Sequence, residues 1–74
     1  MSDRFTHHVA AIAIPMRRDA NGEVVDWDNK FLRHGKPTTL RSATRYTSKE
    51  RALFVATKFA ADYENSWPYT IRTL

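Results

Sequence analysis

Two aspartates set two residues apart, Asp26 and Asp28, are the first side chains whose type and spacing could do chemistry. On a strand both carboxylates project from one face, and paired acids of this kind can hold a divalent cation for phosphodiester cleavage. Such a site needs further ligands and a nearby general base, and nothing else in the chain declares itself for those roles. Opposite Val25 and Trp27, the pair reads more simply as the solvated face of a strand. His7 and His8 are adjacent, so an extended backbone sends them to opposite faces and they cannot chelate one metal together. His34 falls beside Gly35 and Lys36, without the three or four converging ligands of a zinc site. Ser2, Ser42, Ser48 and Ser66 sit at a terminus, a strand, a cap and a turn, none in the context of a nucleophile elbow. Gly22 and Gly35 are isolated turn residues, so no glycine-rich loop cradles a phosphate. The expectation is a protein that is not an enzyme and uses neither metal nor cofactor.

The basic residues carry a stronger signal. Twelve Lys and Arg against eight Asp and Glu give a formal net charge of +4. Asp19, Glu23, Asp26 and Asp28 cluster with no basic residue among them. Lys30, Arg33, Lys36, Arg41, Arg45, Lys49 and Arg51 follow, interrupted only by Glu50. The molecule should therefore have an acidic end and a basic region. Lys49 and Arg51 fall in the first turn of an expected helix, where cations oppose the macrodipole, which points to a role other than stability. A phosphate backbone or an acidic protein surface would each answer that charge. A solvated, solubilising face is the plain alternative.

Phe54 is the second feature. On a helical wheel it lies among Glu50, Thr57, Lys58 and Ala61, away from the apolar stripe. An exposed Phe flanked by Arg51 and Lys58 has the composition of an interface anchor, unless the 29–39 segment or a second copy covers it. Trp27 is expected to pack under the helix, and Trp67, just before Pro68, to plug the core at the helix end.

The elements that must position these residues form an α+β domain. Residues 5–16 read as a strand through Val9, Ile12 and Ile14, with Pro15 arguing against a long helix. Asp19-Ala20-Asn21-Gly22 is a turn, and residues 23–28 return as a second strand in which Val25 and Trp27 alternate with Asp26 and Asp28. Residues 29–37 are ambiguous: Asp28 could cap one helical turn, or Lys30-Phe31-Leu32 could extend the strand. A short third strand is expected near Ala43 to Tyr46, with Arg41 and Arg45 on the face away from Leu40 and Tyr46. Thr47-Ser48-Lys49-Glu50 reads as a capping box with Thr47 as the cap. The helix it opens should run to Tyr63 or Glu64 and present Ala52, Val55, Ala56, Phe59, Ala60 and Tyr63 as its apolar stripe. Residues 69–74 alternate as a final strand with Tyr69 and Ile71 inward. The expected fold is an antiparallel or mixed sheet of three to four strands with one helix across one face.

A chain of 74 residues allows one domain with a thin core. Apolar residues at 42% and nine aromatics (two Trp, three Tyr, four Phe) argue for a folded chain. The absence of cysteine removes disulfides, thiolate metal sites and thiol nucleophiles. The Val9–Ile14 run is too short to span a membrane and lacks a signal-peptide cleavage site, so the expected home is the cytoplasm.

Ala43-x-x-Tyr46, followed by Thr47-Ser48-Lys49-Glu50-x-Ala52 opening a helix and then a terminal strand, resembles small phage and mobile-element accessory proteins. In length and layout the chain is also similar to phage-encoded inhibitors of host enzymes. The resemblance covers residues 40–74. It implies a protein-binding inhibitor or accessory factor, engaging a larger host or phage protein that handles nucleic acid; a free edge strand and a thin core leave monomer and homodimer both open. The expected partner surface combines Arg33, Lys36, Arg41, Arg45, Lys49, Arg51 and Phe54. The alternative expectation is a small basic module that contacts nucleic-acid phosphates directly.

Overall fold

The computed structural model describes residues 7–73, so Ser2 and the expected strand ends Phe5, Thr6 and Leu74 lie outside the described residues. The chain forms β1 (His7–Arg18), β2 (Val24–Arg33), β3 (Lys36–Thr38), a single 3-10 turn (Leu40–Ser42), α1 (Lys49–Ala60) and β4 (Trp67–Thr73). The four strands make one antiparallel sheet in the order β3-β2-β1-β4, with the helix on one face. This is the α+β architecture expected from the sequence.

The first hairpin closes through Asp19. Its Oδ1 accepts from the backbone N–H of Asn21 and of Glu23, each at 2.9 Å. Gly22 supplies the positive φ, 84°, that the turn requires. β1 then continues past Pro15 to Arg18. Pro15 is tolerated because β4 pairs with β1 only as far as Ala13, so the missing N–H falls on an unpaired edge.

The ambiguous segment resolves as strand. β2 runs to Arg33 and turns back into β3 through His34 and Gly35, with φ of 50° and 78°. Two consecutive positive φ values make this the two-residue hairpin turn that matches strand twist. His34 occupies the position where Asn usually stands, which is why the sequence pattern concealed the turn. The third strand therefore lies at 36–38 rather than 43–46. Residues 43–46 instead cross back toward β1 in an extended but largely unpaired path. Thr44 N–H donates to the Leu32 carbonyl, and Tyr46 makes one isolated bridge with His8.

Helix α1 starts one residue later than the capping box implied. Ser48 is the cap, its Oγ accepting from Arg51 N–H at 3.3 Å, and Glu50 therefore stands at the second position rather than the third. The helix also ends at Ala60 rather than at Tyr63 or Glu64. Asn65 takes a positive φ of 62°, and Ser66 Oγ donates within reach of two late carbonyls, Ala60 at 2.9 Å and Tyr63 at 2.8 Å. These local bonds stop the helix before its propensity runs out.

Ala52, Ala56 and Ala60 are buried on one line of α1, over Ala10 and Ile12 of β1 and Leu32 of β2. The alanines let the helix backbone approach the sheet closely. Ile12 and Leu32 fill the space between, each contributing about 1.5–3 kcal/mol by burial. Val55 and Phe59 pack at the margin, and Phe59 meets Tyr63 with ring centroids 5.0 Å apart. The helix lies over β1 and β4. The far end of β2 stays in solvent, where Asp28 pairs with Lys30 at 3.2 Å.

Candidate functional site

Strand parity decides which side chains gather on the sheet face away from the helix. Ala10 and Ile12 point to the helix, so Val9, Ala11 and Ala13 point away from it. Their cross-strand partners share that face: Phe31 and Asn29 on β2, Ile71, Tyr69 and Trp67 on β4, with Trp27 opposite Pro15. Trp27 is thus on the face opposite the helix and 43% exposed, not packed beneath it. The alternation of Trp27 with its flanking aspartates is as expected; the helix simply covers the other face. Trp67 is no core plug either. It is 68% exposed, because β4 begins there and the parity of Tyr69 and Ile71 carries it outward. Tyr69 and Ile71 are half-buried on this same face rather than under the helix.

Val9 and Ala11 are fully buried in the floor of this face. A depression of about 380 Å³ opens between Ala13, Trp27, Asn29 and Trp67. Trp67 and Asn29 belong to the strands on either side of β1, two strand spacings or roughly 10 Å apart. The small Ala11 and Ala13 leave room across that gap. The Tyr69 hydroxyl reaches over β1 and donates to Asn29 Oδ1 at 3.0 Å. Burial pushes the Tyr69 pKa up, which keeps its proton in place as a donor.

Among the described residues, no carboxylate occupies a position on this face. Asp26 and Asp28 share the parity of the helix side, and Asp19, Glu23, Glu50, Asp62 and Glu64 lie in the turn, on the helix and at its end. At the opposite end of the face stand Arg33 and Lys36, directly paired across the β2–β3 hairpin and both exposed. His7 shares the face, while His8 points to the helix side, as adjacent strand residues must.

The basic residues singled out in the sequence therefore divide into two groups. Arg33 and Lys36 join the aromatic face. Arg41 sits in the 3-10 turn, not on a strand, and Arg45 follows it, its Nη1 3.4 and 3.5 Å from the Ala43 and Arg41 carbonyls. Lys49 and Arg51 are exposed in the first turn of α1. Phe54 is 67% exposed, and it lines a groove of about 350 Å³ with Arg51, Val55, Lys58 and Phe59, which Gly35 and Asp62 also border.

Sequence reasoning placed Trp27, Trp67 and Tyr69 in the core and did not single out Asn29, so their gathering on one open face was not foreseen. The signal was the shared parity of Trp27, Asn29, Phe31 and Arg33, matched by Trp67 and Tyr69, once both segments are placed in one sheet. Among the described residues no three His, Asp or Glu side chains converge as a metal site would need, and no helix is long and apolar enough to cross a membrane. No family model, curated protein or solved structure matches this chain.

Proposed function

We propose that this domain is a binding module that takes single-stranded nucleic acid on the sheet face opposite the helix. The observation that carries the reading is a face bearing Trp27, Phe31, Trp67 and Tyr69, with Arg33 and Lys36 at one end and, among the described residues, no carboxylate. Flat open sheets with exposed aromatic rings stack unpaired bases, at about 1–3 kcal/mol per base. Cations at the end of the row take the phosphates. A duplex hides its bases and would find no matching groove. That the described residues place no acid there matters because a carboxylate beside the path would repel the strand.

The test is fluorescence anisotropy with short labelled single strands and with the matching duplex, across a salt series. Single strands should bind and the duplex should not, and the intrinsic Trp fluorescence should be quenched on binding. The log–log salt slope should be about −0.7 per phosphate contacted, and charge reversal of Arg33 and Lys36 together should make it shallower. No binding at low salt, or equal binding of the duplex, would overturn the proposal.

A second reading is favoured by Phe54. A phenylalanine exposed between Arg51 and Lys58 over a groove suits a protein partner with an acidic, apolar segment, as an inhibitor or accessory factor would engage. A nuclease-resistant, stoichiometric partner captured from lysate and lost with Phe54→Ala would establish it. A capture unchanged by that substitution would dispose of this surface.

A further inference from the structure

Resting on that reading of the sheet face, we propose that Asn29 selects among bases, with Tyr69 as its positioning residue, so that thymine or uracil is preferred to adenine. The Tyr69 hydroxyl donates to Asn29 Oδ1 at 3.0 Å, so in this arrangement the amide oxygen is the engaged end. An amide held through its oxygen presents Nδ2, with two N–H donors, on its other side. Asn29 itself is exposed and borders the depression between Trp27 and Trp67. A ring lying against either indole would therefore meet a donor at its edge, with small Ala13 as the floor beneath it.

Thymine and uracil offer two carbonyl oxygens to such a donor. Adenine sets a ring acceptor beside its exocyclic amino group, and an amide whose oxygen is already engaged by Tyr69 answers the first and leaves the second unmet. Cytosine, with one carbonyl and one amino group, falls between them. The Tyr69 ring belongs to the stacking face, and its hydroxyl acts on the choice of base only through Asn29. That hydroxyl is protonated across the neutral range as any phenol is, and burial extends that range upward. Without its hydroxyl the Asn29 amide turns freely and offers either end, so discrimination falls while stacking remains.

The experiment measures affinities of wild type, Tyr69→Phe, Asn29→Ala and Asn29→Asp for equal-length homopolymers of deoxythymidine, deoxyadenosine and deoxycytidine. Adenine strands stack on themselves in every comparison, so the quantity read is the change in the thymine-to-adenine ratio between variants. Wild type should favour thymine by roughly three- to tenfold more than Asn29→Ala does, the worth of one hydrogen bond. Tyr69→Phe, which keeps the ring and removes only the hydroxyl, should bring the ratio to that of Asn29→Ala, and the ratio rather than the overall affinity is what decides. Asn29→Asp exchanges donors for acceptors and should shift the ratio toward adenine and cytosine, whatever its added charge does to affinity. A ratio indifferent to all three substitutions, with wild type still binding, would overturn the role of Asn29 and leave the sheet-face reading standing. Failure of wild type to bind any of the three strands would overturn both.

Discussion

Trp67 stands directly opposite Ala13 in the β1–β4 register, so the bulkiest residue of the edge strand borders one of the smallest of the central strand. The depression on the sheet face exists because of that pairing. Filling it should abolish the site without touching the core, since Ala13 points away from the helix. Ala13→Leu is accordingly expected to reduce single-strand affinity at least as much as loss of a stacked base, about 1–3 kcal/mol. Its melting temperature, followed by circular dichroism, should stay close to that of wild type.

Trp67 and Phe54 are almost equally exposed, at 68% and 67%, and they mark opposite sides of the molecule. Trp67→Ala should weaken oligonucleotide binding by about 1–3 kcal/mol, and Phe54→Ala should leave it unchanged. Both should alter stability by no more than about 0.5 kcal/mol, as substitutions outside the core do. The same anisotropy titration on the two variants checks this. Equal losses would mean that the helix groove and the sheet face are not separate surfaces.

At the start of α1, Ser48 and Thr47 compete as caps in the sequence, and the fold employs Ser48. Ser48→Ala should cost about 1 kcal/mol of unfolding free energy, while Thr47→Ala costs far less. Urea denaturation of both variants decides between the two caps.

Alkaline pH should reveal Tyr69. Because burial raises its pKa, the folded protein holds the phenolic proton to higher pH than the unfolded chain does. The stability this provides is complete below the unfolded value of about 10 and is lost as pH rises through the folded one. Wild type should therefore lose stability above about pH 10 more steeply than Tyr69→Phe, which has no proton to lose there. Parallel urea midpoints from pH 8 to 11 or so measure the difference, and identical slopes would place the ring in solvent.

Periodicity made much of this fold legible. The Asp19–Gly22 turn, the hairpin around it, the alanine stripe of α1 and the final strand all rest on local rules that a short window contains. The β2–β3 hairpin escaped because its turn is His34-Gly35 rather than Asn-Gly, and its strand β3 is only three residues long. The helix boundaries shifted because side-chain bonds of Ser48 and Ser66, rather than propensity, set them.

Local sequence therefore determined the elements, their alternation and the separation of acidic from basic stretches, since each depends on neighbours within a few residues. It also placed Trp27 on the face opposite Asp26 and Asp28. What it left open was which of those two faces the helix would cover. That choice belongs to the tertiary structure, because it turns on Ala10 and Ile12 of β1 and Leu32 of β2 meeting Ala52, Ala56 and Ala60, residues 20 or more positions apart in the chain. Once the alanine stripe had taken the side where close approach was possible, Trp27, Phe31, Trp67 and Tyr69 were left together on the other. A contact such as Tyr69 to Asn29, 40 residues apart, comes into being only when three strands lie side by side.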